Sequence, residues 1–313
     1  MAVARDRIVI VGAGHVGATA AYALMLRGLF TEIVLIDADE GRATAEATDI
    51  ADANALARPG QIRSGSYADA ADARIVVLTA GAATHGDETR LSVAGRSAVI
   101  VRECVANIMQ AGFTGILVVA ANPVDAMTHI AQEAAGLAPD RVIGTGTLLD
   151  SARFRQRLAS QLKVAPAAVE ALILGEHGDS EVAAFSTVRI GGVALDSFLG
   201  SRQIPRATIA EDVMRAAYTI VQGKGYTSFG IATAIVRICE AIRRDERVVL
   251  PVSTRADGAF GIEGVCLSLP CLIGSEGILR VLAPDLSEVE IEGLRRSADI
   301  LKRVVASLSA ASD

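Results

Sequence analysis

The chain has 313 residues, of which 51% are hydrophobic and 21% are charged. This length suits about two domains of ~150 residues, with enough apolar residues for a sizeable core. The formal net charge is -6, and Lys and Arg are scattered without a basic run, which excludes the charge pattern of a nucleic-acid-binding protein and favours a small-molecule partner.

The cysteines lack both the paired spacing of a zinc site and the density of a disulfide-stabilised protein. We therefore expect no metal and four reduced, buried thiols, which indicate a reducing compartment and hence a cytoplasmic protein. The four are Cys104, Cys239, Cys266 and Cys271.

Two uncharged stretches could be mistaken for export or membrane segments. Residues 8–26 follow Arg5 and Arg7 as in a signal peptide, but they contain Gly-Ala-Gly-His after a β-branched run that favours a strand. Residues 104–124 contain Asn, Gln, Gly and Pro, which favour a helix end, a turn and a strand. We expect no membrane association.

Short aliphatic runs alternate with helical patterns through the first half of the chain. Because each run is apolar along its whole length and is followed by a helical segment, the pattern predicts a parallel sheet with helices on both faces. Residues 1–145 are thus predicted to form a doubly wound α/β domain of the Rossmann type. The predicted strands are 8–11, 33–36, 75–80, 116–121 and 142–144, and the predicted helices include 19–29, 42–57 and 91–112.

The pattern changes after residue 145. A helix is predicted over 146–162, followed by strands around a turn at Gly191 and Gly192, long helices within 204–244 and a hairpin-like region over 248–282. An amphipathic helix follows at the end. Residues 146–313 are therefore predicted to form a second, mixed α+β domain that binds substrate and carries out catalysis.

The sequence GAGHVG places Gly12, Gly14 and Gly17 in a GxGxxG pattern after a predicted strand and at the start of a helix. Asp37 lies 20 residues after Gly17, at the end of the next predicted strand. This context indicates a dinucleotide site, with pyrophosphate at the helix N-terminus and ribose hydroxyls on Asp37, which would repel a 2′-phosphate. NAD is therefore expected rather than NADP. The alternative is that the glycines serve only a tight turn.

Hydride transfer to or from a nicotinamide also requires a group that exchanges a proton near neutral pH, and histidine is the natural candidate. His15 lies in the glycine turn, His85 in a predicted loop and His129 on a predicted helix. His177 lies in LGEHGDS, at a glycine-flanked turn after a predicted strand. It is the candidate proton donor, although a structural turn residue remains the alternative from these residues alone.

Five motifs in order along almost the whole chain resemble those of the L-lactate and malate dehydrogenase superfamily, and closely resemble its L-lactate and L-2-hydroxyisocaproate dehydrogenases. The resemblance implies an NAD-dependent L-2-hydroxy-acid dehydrogenase that reduces pyruvate or a related 2-oxo acid reversibly. It also implies a homotetramer, with a homodimer as the alternative. The motifs are GAGHVG at 12–17, NPVD at 122–125, VIGTGTLLDSARFR at 142–155, LGEHGDS at 174–180 and GKGYTSFGIA at 223–232.

The resemblance assigns catalytic roles to single residues. His177 is similar to the acid/base residue, and Asp150 to the carboxylate that orients its imidazole and stabilises the protonated form. Arg153 is similar to the arginine that holds the substrate carboxylate with two parallel hydrogen bonds. Without the other motifs, the pair Asp150 and Arg153 would indicate only a surface ion pair on a helix.

Further roles follow from the same resemblance. Arg90 matches a loop arginine that polarises the substrate carbonyl when the loop closes. Asn122 matches an asparagine that contacts the same oxygen and the cofactor, and a cis peptide bond before Pro123 is implied. The remaining implied contacts are Thr227 in the substrate pocket, Ile231 beneath the nicotinamide and Gly81 at the cofactor.

Two departures from the family pattern affect function. Bacterial enzymes activated by fructose 1,6-bisphosphate have an arginine and a histidine at positions that here are Arg155 and Glu170, so no activation is expected. At the substrate-binding loop position that is Gln in lactate dehydrogenases and Arg in malate dehydrogenases, this chain has Thr84. Because Thr84 matches neither residue, the preferred substrate is left open. We expect pyruvate first, bulkier 2-oxo acids second and oxaloacetate third.

An NAD-binding sensor or structural protein is the alternative from a different functional class. Such a protein has no need for a proton donor, its orienting carboxylate and two substrate arginines. The complete set therefore favours an enzyme.

Overall fold

The computed structural model describes residues 6–82 and 90–310, without the side chains at positions 90, 91 and 310. Thr84, His85 and the side chain of Arg90 therefore lie outside the described residues.

Strands and helices alternate through the first half, as predicted. The strands are β1 (Arg7–Val11), β2 (Glu32–Ile36), β3 (Gln61–Ser64), β4 (Ala73–Leu78), β5 (Ile116–Val119), β6 (Val142–Gly144), β7 (Val169–Glu170), β8 (Ile173–Leu174), β9 (Val182–Ala183), β10 (Arg189–Ile190), β11 (Val193–Ala194), β12 (Val248–Asp257), β13 (Glu263–Gly274) and β14 (Gly277–Val281). The helices are α1 (His15–Arg27), α2 (Glu40–Asn54), α3 (Arg90–Gln110), α4 (Val124–Ala135), α5 (Leu148–Leu162), α6 (Leu195–Leu199), α7 (Arg206–Met214), α8 (Ala216–Lys224), α9 (Phe229–Arg243) and α10 (Glu288–Ala310).

The six strands β1 to β6 form a parallel sheet in the order β6-β5-β4-β1-β2-β3. Both faces are buried: Ile8 and Ile10 of β1 pack into a core cluster with α1, α2 and α9, whereas Val9 and Val11 pack with α3, α4 and α10. Alternate side chains of a strand point to opposite faces, so a strand buried on both faces must be apolar throughout. The predicted doubly wound α/β fold is confirmed.

Strand β3 was not predicted. Its sequence QIRS contains one buried apolar residue, Ile62, and it lies at the edge of the sheet beside β2. An edge strand needs few apolar residues, so hydrophobicity alone does not reveal it.

The antiparallel strands of the second half extend the same sheet. Strand β12 pairs with β6 through Ser253 and Gly144, and β13 and β14 follow, giving nine strands in the order β14-β13-β12-β6-β5-β4-β1-β2-β3. The sheet is therefore continuous across residue 145. The predicted turn at Gly191 and Gly192 joins β10 to β11, with φ of 57° and 83° at the two glycines.

All four cysteines are unpaired and buried, as predicted. No helix in the described part of the chain is long and apolar enough to cross a membrane.

Candidate active site

A cavity of about 320 Å³ lies where the first turns of α3, the end of β5, helix α5, the β8–β9 loop and helices α7 and α8 meet. Ligands commonly bind at the carboxyl ends of the strands in open α/β sheets, and this cavity adjoins that end of β5. It is lined by Val93, Ala94, Asn122, Pro123, Asp150, Arg153, His177, Gly178, Asp179, Glu181, Met214, Ala217 and Tyr218.

His177 lies in the loop of a short hairpin formed by β8 and β9. Gly175 precedes it with φ of 88°, and an added Cβ there would lie 2.9 Å from Ser297 Oγ. The Glu176 N–H donates to the same Ser297 oxygen over 2.8 Å, and the His177 N–H donates to Asp125 Oδ2 over 2.7 Å. The main chain at Glu176 and His177 is therefore fixed by two buried polar side chains, Ser297 and Asp125.

The structure brings three of the predicted site residues together: His177, Asp150 and Arg153. Asp150 Oδ2 lies 2.5 Å from His177 Nδ1, and Asp150 Oδ1 accepts a hydrogen bond from Arg153 Nη1 over 2.8 Å. Asp150 and Arg153 are one turn apart on α5, so both side chains lie on one face of the helix. With Nδ1 on Asp150, Nε2 of His177 is the ring nitrogen available for a substrate oxygen.

These contacts set the charges in the cavity. Burial lowers the pKa of His177, but the charge and hydrogen bond of Asp150, with the charges of Asp125 and Glu181, outweigh burial and raise that pKa to about 9. Burial also raises the pKa of Asp150, but His177 and Arg153 outweigh it, so the Asp150 carboxyl has a pKa below its ordinary value. An imidazolium beside a carboxylate is the expected state at neutral pH.

Two carboxyl groups around His177 were not predicted as site residues. Asp125, 2% exposed, accepts from the His177 N–H, and burial raises its pKa to about 6. Glu181 lines the cavity four residues after His177. The motifs NPVD and LGEHGDS pointed to these segments, but only the folded chain shows that both side chains lie close to His177.

Asn122 and Pro123 also line the cavity, and the peptide bond between them is cis, as the resemblance implied. Thr227 and Ile231 are half-buried near the start of α9 and are not among the residues that line this cavity or the neighbouring one described next. Their predicted contacts with substrate and cofactor remain predictions, as do those of Thr84 and the Arg90 side chain, which lie outside the described residues.

A second cavity of about 460 Å³ lies beside the glycine-rich turn, and Gly12, Gly14, Asp37 and Gly81 line it. Its shape depends on the glycines. A Cβ on Gly12 would lie 2.6 Å from Ala80 N, one on Gly17 would collide with the Gly12 carbonyl, and one on Gly14 would meet nothing within 4 Å. Gly12 and Gly17 thus permit close packing, whereas Gly14 leaves the backbone open to a ligand.

The residues of this second cavity fit a dinucleotide. Helix α1 begins at His15, and its N-cap, Gly14, supplies no side-chain hydrogen bond, so the first N–H groups suit an anionic pyrophosphate. The Asp37 carboxylate, at the end of β2, accepts from the Ala13 N–H over 2.7 Å and from the Asp39 N–H over 3.0 Å. It is thereby held at the edge of the cavity, where a ribose would need an acceptor.

Arg155 lies on α5, and Glu170 lies on β7. The Arg155 Nε donates to the Ala171 carbonyl over 3.2 Å, and the Glu170 charge acts to raise the pKa of Arg155, although burial lowers it overall. Arg155 thus already has a negative neighbour, and the expected lack of activation by a sugar bisphosphate remains a prediction.

Comparison with known proteins covers both halves of the chain. Residues 6–144 match the family model of the lactate/malate dehydrogenase NAD-binding domain, and residues 147–311 match the model of the α/β C-terminal domain. These matches confirm NAD as the cofactor that the glycine pattern predicted.

Relatives match over nearly the full length. An L-lactate dehydrogenase from Thermus aquaticus is 45% identical, with 96% of this chain and 99% of the relative aligned. An L-lactate dehydrogenase from Allorhizobium ampelinum is 44% identical over the same shares of the two chains.

Solved structures of lactate dehydrogenases have the same fold as this chain. The crystal structure of a lactate dehydrogenase from a Medee basin deep-sea metagenome library superimposes with a TM-score of 0.95 at 37% identity, covering 98% of this chain and 100% of the other. The minor L-lactate dehydrogenase from Enterococcus mundtii, with bound ligands, gives the same TM-score and identity over 97% and 99%. In sequence and in fold, this chain belongs to the lactate/malate dehydrogenase family.

Proposed function

We propose that this chain catalyses the NAD-dependent, reversible interconversion of pyruvate and L-lactate. The observation that carries the proposal is the group formed by His177, Asp150 and Arg153 in one cavity. The names of the relatives support lactate as the substrate.

His177 acts as the general acid and base. Its imidazolium donates the Nε2 proton to the carbonyl oxygen of the 2-oxo acid during reduction, and the neutral imidazole removes that proton from the alcohol during oxidation. Asp150 remains ionised throughout, holds Nδ1 and stabilises the imidazolium. NADH, when bound, supplies the hydride that reaches the carbonyl carbon.

Arg153 holds the substrate carboxylate. Its Nη1 donates to Asp150, and a guanidinium has further N–H groups in the same plane for a bidentate contact with a second carboxylate. Asn122 contacts the substrate oxygen from the cis loop, and Arg90 polarises the carbonyl from the start of α3. Thr84 and Thr227 complete the substrate pocket.

Gly12, Gly14, Gly17, Asp37, Gly81, Asn122 and Ile231 bind NAD in the proposal. Residues 1–145 form the cofactor-binding unit and residues 146–313 the substrate-binding unit. The division is supported by where the two family models match and by the positions of His177, Asp150 and Arg153. The chain acts in the cytoplasm as a homotetramer, with a homodimer as the alternative.

The test is a panel of 2-oxo acids assayed by loss of NADH absorbance, including pyruvate, 2-oxobutyrate, 2-oxoisocaproate and oxaloacetate. Pyruvate is expected to give the highest kcat/KM and L-lactate as product. A higher value for 2-oxoisocaproate would favour the bulkier-acid alternative, which the short side chain of Thr84 supports. Absence of turnover with every acid would contradict the proposal.

A further inference from the structure

Glu181 is a titratable group in the substrate cavity that the proposed reaction does not use. The hairpin formed by β8 and β9 folds the chain back, so that Glu181 lies beside His177, which is four residues earlier in the sequence. One side-chain oxygen of Asp150, one of Glu181 and one ring nitrogen of His177 all lie within 4.8 Å of one another. The loop therefore adds a second carboxyl group to the Asp150–His177 pair.

One oxygen of this carboxyl group, Glu181 Oε1, is buried and has no hydrogen-bond partner among the described residues. A buried, unpartnered carboxylate is unfavourable, and the group avoids this cost by keeping its proton. Burial, together with the negative charges of Asp150 and Asp179, raises the pKa of Glu181 to about 8, against the lowering effect of His177 and Arg153. Burial and the missing hydrogen-bond partner of Oε1 therefore favour a neutral Glu181 at pH 7.

We propose that Glu181 controls the affinity of the cavity for its anionic substrate, binding a monocarboxylate well when protonated and poorly when ionised. The proposal rests on the proposed function. With Glu181 neutral, the protonated His177 and Arg153 lie beside two carboxylates, Asp150 and Asp179. An ionised Glu181 adds a third carboxylate and places a like charge beside the substrate.

The two reaction directions separate this role from an effect transmitted through His177. Pyruvate requires protonated His177 and lactate requires the neutral form, so a change that acts only through the imidazole moves the two KM values in opposite directions. Repulsion by Glu181 acts on the carboxylate that both substrates share. It therefore raises both KM values as pH rises through the pKa of Glu181.

The experiment compares wild type, Glu181→Gln and Glu176→Gln, each with both substrates, at about pH 6.5 and about pH 9. Glu176→Gln is the matched control, because it removes the same charge from the same loop, where the Glu176 carboxylate accepts from Ser180. All assays contain EDTA, so that contaminating divalent metal ions do not affect the KM values. NADH binding and the unfolding temperature show whether each variant is folded. If Glu181→Gln does not fold, Glu181→Met, which also lacks the charge, replaces it.

At about pH 9, Glu181→Gln should lower KM for pyruvate and for L-lactate at least threefold relative to wild type, with little change at about pH 6.5, and Glu176→Gln should behave as wild type. About a tenth of a carboxyl group with a pKa near 8 remains protonated at pH 9, so an effect up to about tenfold is available. Equal KM values in wild type and Glu181→Gln at high pH, or opposite changes for the two substrates, would overturn the proposal. If wild type turned over neither substrate, the proposed function would fail instead.

Discussion

At the scale of single residues, His177 depends on carboxyl groups that come from three separate segments. Asp150 of α5 holds the ring, Asp125 of α4 holds the main chain, and Glu181 of the hairpin faces the cavity. The motifs predicted His177 and Asp150 because their residue types and order are specific to the family. They could not predict the electrostatic effect of Asp125 and Glu181, which depends on burial and on distances between segments far apart in sequence.

Asp37→Ala should shift cofactor preference toward NADPH. The substitution removes an acceptor for the ribose hydroxyls and a charge that repels a 2′-phosphate, and Arg42 lines the same cavity as a potential partner for that phosphate. The ratio of kcat/KM for NADPH to that for NADH should rise at least about tenfold, or about 1.4 kcal/mol.

Glu40→Ala is the control for this change, because Glu40 lies in the first turn of α2 and does not line the cavity. It should leave the cofactor ratio near the wild-type value. An unchanged ratio in Asp37→Ala would show that Asp37 does not contact the ribose.

Thr84→Arg should raise the activity on oxaloacetate relative to pyruvate by at least about tenfold. The prediction comes from the family resemblance: a threonine offers no cation for the second carboxylate of oxaloacetate, whose burial without a partner is costly, and an arginine supplies one. Steady-state kcat/KM for the two acids measures the ratio. Wild-type preference for oxaloacetate, or a ratio that arginine leaves unmoved, would mean that position 84 does not face the substrate.

At the scale of elements, the β8–β9 hairpin positions His177, the proposed acid/base residue, and Gly175 is a constrained point of this hairpin. Gly175→Ala places a methyl group in a left-handed conformation, 2.9 Å from Ser297 Oγ. We expect a loss of about 1–3 kcal/mol in the free energy of unfolding. We also expect a larger loss in kcat than in NADH affinity, because the displaced loop carries His177 and not the cofactor site.

Gly192→Ala provides the comparison for Gly175→Ala. Gly192 also has positive φ, 83°, but a Cβ there meets nothing within 4 Å. Chemical denaturation and steady-state kinetics of the two variants separate backbone strain from displacement of the loop. Equal kcat in Gly175→Ala and wild type would show that this turn does not position His177.

Element prediction succeeded where burial on both faces imposed a continuous apolar run, as in β1, β2, β4 and β5. It failed for the edge strand β3 and left the helical stretch over 204–244 undivided, whereas the structure has α7, α8 and α9 there. The break between α8 and α9 falls at Gly225, with φ of 84°. A helical hydrophobic pattern on both sides of such a break gives little indication of where one helix ends.

At the scale of the whole molecule, the sequence predicted the parallel half of the sheet but not its continuation. The pairing of Ser253 with Gly144 joins strands more than a hundred residues apart. Which edge an antiparallel hairpin joins depends on the surface left exposed by the rest of the fold, and residue periodicity carries no information about it. For function, Asp125 of α4 and Asp150 of α5, two helices that start on either side of β6 in the chain, both contact His177.

The central claim is that pyruvate is reduced in this cavity with His177 as the proton donor. The most direct test measures kcat for pyruvate reduction in wild type and in His177→Gln. The affinity for NADH is measured on both proteins. Wild type should produce L-lactate. The variant should lose about 10²–10⁴-fold in kcat and should bind NADH with nearly unchanged affinity, because the glycine turn and Asp37 build a separate cavity. Removal of a general acid should lower kcat at least about a hundredfold. A variant that keeps more than about a tenth of wild-type kcat would therefore contradict the proposed role of His177.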